Sequence, residues 1–160
     1  MSIRNTLCLF AALTLAGGTL LAADNDPFAG TWNLNVQKST YSGTPKPKEL
    51  TLTVTDQDNN RLLALNGTEA DGSPIKAEIT EPMNGGPIEM TGALPNHAWD
   101  SATLKVISPT AHEMIYSKDG KQVGIRHITL SRDHQTMTAR FTGTDSQGKK
   151  ITQNDVWHKQ

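Results

Sequence analysis

Five histidines are the side chains in this sequence that most readily suggest chemistry, because imidazole ligates metals and haem and transfers protons at neutral pH. They are His97, His112, His127, His134 and His158. No two stand at a ligand spacing such as His-x-His or His-x₃-His, and the only cysteine is Cys8. His112 and His127 lie on segments that we predict to be neighbouring strands, so a site shared by these two stays open. We otherwise predict no metal and no cofactor.

Catalytic patterns are weaker still. The sequence has no Gly-x-Ser-x-Gly motif and no carboxylate pair in a recognisable context. Asp133 and His134 are adjacent, but Arg-Asp-His-Gln between two predicted strands is typical of a polar turn. We therefore predict that the chain is not an enzyme and name no catalytic residue.

A binding role has better support. If Met114 and Tyr116 face the same interior as Arg126 on the next predicted strand, a mostly apolar pocket contains one cation. Ile128 from the same strand as Arg126, and Gln153 or Asp155 from the last strand, would complete it. Such a pocket suits an amphipathic ligand such as a fatty acid, whose carboxylate Arg126 would pair with. The alternative is that Arg126 lies on an outer face as an ordinary solvated charge. Met114, Tyr116 and Arg126 are thus the predicted ligand-binding residues.

These side chains must be positioned by strands. From Gly30 to His158 apolar residues alternate with period two in many short runs, and no run of ten or more residues has a helical period. Turn residues separate the runs, most clearly Asp119-Gly120 between two alternating segments. The predicted strands are 30–38, 49–56, 61–66, 74–81, 88–91, 100–107, 111–118, 121–131, 136–142 and 149–158. The connection 39–48 contains two prolines and is predicted to be irregular.

The fold class that follows is all-β. Short connections permit antiparallel neighbours throughout, so the simplest topology is an up-and-down barrel of about eight to ten strands. A two-sheet sandwich with Greek-key crossings is the alternative. A barrel of this size has room for one small ligand, unless its interior is filled by side chains.

Residues 1–23 have the features of a secretory signal peptide: Arg4 near the start, an apolar stretch from Leu7 to Leu21, and two alanines before an acidic segment. The apolar stretch is shorter than a membrane span. We therefore predict cleavage near Ala23, a single barrel domain over residues 24–160, and a location in the periplasm or outside the cell. Cleavage also removes Cys8, so the mature chain forms no disulfide.

The charges of the sequence are nearly balanced and interspersed. The chain has 15 basic and 16 acidic residues and a formal net charge of −1. Nucleic-acid binding requires clustered basic residues, and the densest basic spot is only Lys46-Pro47-Lys48. We predict no nucleic-acid partner and no membrane span in the mature chain.

Gly30-Thr31-Trp32 at the head of the first strand resembles the start of lipocalins and other calycins. With Asn33-Leu34-Asn35 after it and Gly143-Thr144-Asp145 near the end, the chain is similar to small exported bacterial lipocalin-like proteins of unknown function. The resemblance implies that Gly30 and Trp32 form the barrel floor and that a late-strand arginine packs on the indole. Arg126 and Arg140 are available, and we predict Arg140.

The resemblance also implies a function class, the non-catalytic binding of a small hydrophobic or amphipathic molecule. The alternative is a structural or protein-interaction module of the cell envelope, with a barrel filled by its own side chains. The long C-terminal helix of true lipocalins is missing, because the sequence ends directly after a predicted strand.

Overall fold

A computed structural model describes residues 26–93 and 98–160. The predicted signal peptide, residues 1–23, and His97 lie outside these ranges. The described chain contains twelve strands and no helix: β1 (Gly30–Leu34), β2 (Thr40–Ser42), β3 (Glu49–Gln57), β4 (Asn60–Thr68), β5 (Pro74–Pro82), β6 (Gly86–Pro87), β7 (Glu89–Ala93), β8 (Ser101–Ser108), β9 (Ala111–Lys118), β10 (Lys121–Leu130), β11 (Thr136–Thr144) and β12 (Lys150–Lys159).

The strands form one antiparallel sheet that nearly closes into a barrel. Its order is β6-β8-β9-β10-β11-β12-β1-β3-β4-β5-β7, and β2 adds to β12. The two ends of this path, β6 and β7, are separated in the chain by Ile88 alone. The backbone N–H of Ile88 donates to the carbonyl of Ala102 at 2.9 Å. The segment therefore pairs first with β8 and then with β5, and it joins the two ends of the sheet. The prediction of an up-and-down barrel is confirmed, and the two-sheet sandwich is not observed.

All ten predicted strands form, and two short strands were not predicted. β2 lies inside the connection expected to be irregular, where Tyr41 pairs with Gln153 of β12. The first strand is also shorter than predicted and ends at Leu34. The cause is a turn at Asn35, whose Oδ1 accepts a hydrogen bond from the backbone N–H of Lys38 at 3.0 Å. A side chain that bonds the backbone two or three residues later competes with strand pairing.

The core consists of two clusters of buried side chains at different levels of the barrel. One surrounds Trp32 and contains Phe28, Leu34, Leu52, Val54, Met137 and Trp157. The other contains Ala102, Leu104, Met114, Tyr116, Phe141 and Ile151. Members of both alternate along their strands with outward-facing residues, as period-two patterning predicts.

Trp32 occupies the barrel interior as expected, with 0% of its surface exposed. Its indole N–H donates to the carbonyl of Phe28 at 2.8 Å, so the buried polar atom is paired. Gly30 begins the same strand with a φ of 127°, which favours glycine.

The cation on the Trp32 ring is not Arg140, and that prediction is wrong. Lys159 Nζ lies 5.1 Å from the ring centroid. Lys159 is the direct cross-strand partner of Trp32 in the β1–β12 ladder. Arg140 follows the inward-facing Ala139 on β11, so it points outward, where it is exposed and its Nε donates to Asn154 at 3.3 Å.

Candidate functional site

The two core clusters leave a cavity of about 220 Å³ between them. Its wall is mostly hydrophobic, with contributions from Leu50, Leu52, Leu63, Leu65, Ile75, Ile79, Met90, Trp99, Met114, Ile128, Met137, Phe141 and Trp157. Sites for drug-sized ligands occupy about 300–1,000 Å³, so this cavity is smaller than a typical site of that kind. Polar side chains interrupt the hydrophobic wall in two places.

The three predicted ligand-binding residues all line the cavity. Met114 and Tyr116 are both 6% exposed, and the tyrosine hydroxyl donates weakly to the Met114 sulfur at 3.6 Å. Arg126 keeps 27% of its side-chain surface accessible, and it faces the cavity. The alternative of Arg126 on an outer face is therefore wrong. Ile128, Gln153 and Asp155 reach the same cavity, as the alternation predicted.

The first polar group of the cavity wall surrounds Arg126. Its Nη2 donates to Gln153 Oε1 at 3.0 Å, and its Nη1 lies 3.9 Å from Asp155 Oδ2. The guanidinium carbon stands 5.6 Å from the centroid of the Phe141 ring, a cation–π arrangement. Arg126 Nε is buried and has no partner within the described residues.

Tyr41 belongs to this group, although no pattern in the sequence indicated it. Its hydroxyl donates a short hydrogen bond to Asp155 Oδ1. Burial and the adjacent carboxylate together raise the pKa of the Tyr41 hydroxyl far above its ordinary value. The pairing of β2 with β12 brings this tyrosine to the cavity, and β2 is too short to be recognised from its sequence pattern.

The second polar group begins with a buried ion pair. Arg61 Nε and Nη2 donate to the two carboxylate oxygens of Asp26 at 2.6 and 3.0 Å. Only 8% of the arginine side chain and 5% of the aspartate side chain are exposed. Paired donors in the plane of a carboxylate give the strongest kind of charged hydrogen bond. Asp26 thus compensates the positive charge of Arg61.

Phe28 connects this ion pair to His112. The Arg61 guanidinium carbon lies 5.3 Å from the Phe28 ring centroid. On the same ring, the His112 imidazole stacks with centroids 4.3 Å apart and planes 26° from parallel. Burial is the main cause that lowers the pKa of His112 to about 4, so its ring is neutral at pH 7.

Glu81 completes the second polar group. It is the direct cross-strand partner of Arg61 on β5, and it is only 3% exposed. Burial raises the pKa of its carboxyl to about 7, although Arg61 opposes the shift. Near neutral pH the carboxyl therefore holds a proton far more readily than an exposed glutamate does.

Four buried side-chain atoms in the described chain have no hydrogen-bond partner in the protein, and all four belong to cavity-lining residues. They are Arg61 Nη1, Glu81 Oε1, His112 Nε2 and Arg126 Nε. Each unpaired buried polar group costs about 1–3 kcal/mol, and native proteins pair nearly all of them with protein or water. Residues of the cavity wall therefore carry buried polar atoms that the protein itself leaves unpaired.

Sequence reasoning missed Arg61 and Glu81, although a signal for both was present. Arg61 continues the inward face of Leu63 and Leu65, and Glu81 continues that of Ala77 and Ile79, each at a step of two residues. A charged residue in register with an apolar face is the pattern that would have found them.

The suggestion that His112 and His127 share a site is wrong. His112 is buried, whereas 57% of the His127 side chain is exposed, and its Nδ1 lies 3.4 Å from Glu113 Oε2. The two histidines stand on opposite faces of the sheet. Within residues 26–93 and 98–160, no cluster of three or more potential metal ligands is present.

Asp133 and His134 form a surface turn between β10 and β11. Asp133 Oδ1 accepts hydrogen bonds from the Ser131 hydroxyl at 2.5 Å and from the backbone N–H of Gln135 at 3.1 Å. His134 has a φ of 55°, the left-handed conformation of a tight turn. The Asp133 side chain and the His134 backbone serve the turn, as the sequence indicated.

The part of the chain that the structure describes contains no helix long and apolar enough to cross a membrane. In comparisons with known proteins, no family model matches the chain, and no curated protein is significantly similar to it. A function for this chain must therefore be inferred from its fold and its cavity.

Proposed function

We propose that this chain is an exported, lipocalin-like barrel that binds one small hydrophobic or amphipathic molecule without transforming it. The observation that carries the proposal is the cavity of about 220 Å³, whose mostly apolar wall includes four polar residues, each with a buried atom that has no partner in the described protein. A pocket that is mostly apolar with a few convergent polar groups is the usual form of a small-molecule site.

The alternative role, a structural or interaction module, was tied to a barrel filled by its own side chains. An interior of that kind would pack at the density of other protein cores and leave few voids larger than a water molecule. The cavity here has the volume of about seven water molecules in the liquid. The size of the cavity thus favours ligand binding over a purely structural barrel.

Native mass spectrometry of the protein, purified without detergent or organic solvent, tests the proposal. We expect a retained small molecule, or binding of a short amphipathic compound such as hexanol, hexanoate or hexylamine at one molecule per chain. Ala139→Leu, which extends a side chain into the cavity, should abolish binding. Thr138→Leu changes the neighbouring residue of the same strand and should leave binding intact. No retained molecule and no binding of any of the three compounds would refute the proposal.

Export is the second part of the proposal and rests on the sequence of residues 1–23. The mass of the protein recovered from the periplasm or the medium should correspond to a chain that begins at Asp24. Recovery in the cytoplasm with residues 1–23 still attached would contradict it.

A further inference from the structure

We propose that Arg61, Glu81 and His112 form a polar subsite on the cavity wall, and that this subsite binds an uncharged hydroxyl or carboxamide group of the ligand. The inference rests on the proposed function and adds a ligand class to it. It differs from the carboxylate at Arg126 that the sequence led us to expect.

Strand pairing and ring contacts hold the three side chains close together. Strand pairing sets Arg61 directly opposite Glu81 on β4 and β5. The Phe28 ring contacts both Arg61 and His112. Its centroid lies 5.3 Å from the Arg61 guanidinium carbon and 4.3 Å from the centroid of the His112 imidazole. All three residues line the cavity. The subsite is therefore built from rigid strands and one shared ring.

Each of the three residues presents one buried atom without a partner. Arg61, Glu81 and His112 are 7%, 3% and 4% exposed, and the unpaired atoms are Nη1, Oε1 and Nε2. Arg61 Nη1 can only donate, whereas a carboxyl oxygen and an imidazole nitrogen can accept. A ligand group that both accepts and donates matches this set, and hydroxyl and carboxamide groups do both.

The charges of the subsite argue against an ionised ligand group. Asp26 already compensates Arg61 through two hydrogen bonds. Glu81 forms no ion pair within the described residues, and the high pKa of its carboxyl reflects burial without a dedicated cation. A ligand carboxylate would lie beside Glu81 and Asp26, and a ligand ammonium would lie beside Arg61. An uncharged group avoids both repulsions and loses the least hydration on entering the cavity.

Arg126 is less available to a ligand carboxylate than the sequence suggested. Its Nη2 donates to Gln153, its Nη1 lies 3.9 Å from the Asp155 carboxylate, and its Nε is buried without a partner. The Asp155 carboxylate also repels a second negative charge at this position. A carboxylate site at Arg126 predicts that an anionic ligand binds most tightly, whereas the polar subsite predicts that an uncharged ligand does.

Calorimetric titration of the folded protein with hexanol, hexanoate and hexylamine at pH 7 distinguishes them. We expect hexanol to bind at least about tenfold more tightly than either charged compound. Glu81→Met keeps the side-chain volume and removes the carboxyl, and it should weaken hexanol binding about tenfold, the effect of about one lost hydrogen bond. Glu78→Met is the matched control, because Glu78 lies on the same strand and is exposed; its affinity should not change.

His112→Phe provides an independent variant, since the phenyl ring can keep the stack on Phe28 while removing Nε2. Hexanol binding should weaken at least about threefold, and circular dichroism should report an unchanged fold. The polar subsite would be overturned if hexanoate bound most tightly and if its binding were lost in Arg126→Leu but unchanged in Glu81→Met. The proposed binding function would be unaffected by that result. Binding of none of the three compounds would refute the binding function itself, and the subsite with it.

Discussion

Glu81→Gln tests whether a buried, unpaired carboxyl lies in the folded barrel. Burial raises the pKa of Glu81 from 4.5 to about 7. Between these pH values the folded state holds a proton that the unfolded state has lost, so the contribution of Glu81 to stability falls as pH rises. The full change corresponds to about 3 kcal/mol of unfolding free energy. Glutamine resembles the protonated carboxyl and does not titrate.

The unfolding free energy of Glu81→Gln relative to the parent protein should therefore increase as pH rises. At pH 4.5 and below, Glu81→Gln should match the parent protein. At pH 8 the variant should be the more stable by about 3 kcal/mol, because only the parent must ionise a buried carboxyl. Asp26, Arg61 and Arg126 are the charged groups whose fields also act on Glu81, and none of them changes in the variant.

The contribution of His112 to stability changes with pH in the opposite direction. Burial lowers its pKa from 6.5 to about 4, so the folded state binds fewer protons than the unfolded state between these values. Its contribution to stability is complete above pH 6.5 and is lost as pH falls towards 4. His112→Phe should therefore gain stability relative to the parent in acid, where Glu81→Gln gains it at alkaline pH.

Urea unfolding at half-unit steps from pH 4 to 8, followed by tryptophan fluorescence, measures both profiles. Glu78→Gln is the control, and this exposed position should change stability by less than about 0.5 kcal/mol at every pH. A Glu81→Gln difference that is constant across the range would refute the reasoning, because it would mean that the carboxyl is solvated in the folded protein. An equal slope in the Glu78→Gln variant would do the same.

Three further substitutions test other contacts, each by its effect on the unfolding free energy. Asp26→Asn should cost about 3–5 kcal/mol, because it leaves a buried guanidinium without its counter-ion. Lys159→Met should cost about 1 kcal/mol, because it removes the cation from the Trp32 ring. Gly143→Ala should cost about 1–3 kcal/mol, because the added Cβ would lie 2.6 Å from the Phe141 ring.

Two of the three have a matched control. Lys118→Met breaks a surface ion pair of 3.6 Å with Asp100 and should cost less than about 0.5 kcal/mol. Arg140→Met should also be nearly neutral if Lys159 is the cation on the indole, and a larger effect at Arg140 would reverse the assignment. The added Cβ would also lie 2.7 Å from the backbone carbonyl oxygen of Val123. A cost below about 0.5 kcal/mol for Gly143→Ala would therefore show that both the Phe141 ring and the backbone of β10 move aside freely.

The faces of the strands were predictable because side chains alternate strictly along a strand. Met114, Tyr116 and Arg126 were predicted to line a pocket on the condition that their face of the strands points inward, and all three line the cavity. The same rule, applied to β11, would have excluded Arg140, since Ala139 and Phe141 point inward on either side of it. That error came from relying on the family resemblance where the local alternation was decisive.

Other features depend on pairing between distant segments, which one sequence does not encode locally. Tyr41 reaches Asp155 only because three residues of β2 pair with β12. The Asp26–Arg61 pair joins residues 35 positions apart, and Asp26 precedes the first strand, where no periodicity marks an inward face. The sequence alone therefore could not show that the residues of the second polar group lie together, although Arg61 and Glu81 could each have been identified as inward-facing charges.

The pairing of β1 with β12 has a consequence for the rate of folding. Trp32 pairs with Lys159 and Leu34 with Trp157, so the first strand closes against the last. These contacts span nearly the whole described chain, and their formation requires the closure of a very long loop. Two-state proteins dominated by such non-local contacts fold in about milliseconds to seconds, far more slowly than helical bundles. Until β12 is available, Trp32 has no strand on one side and the barrel cannot close.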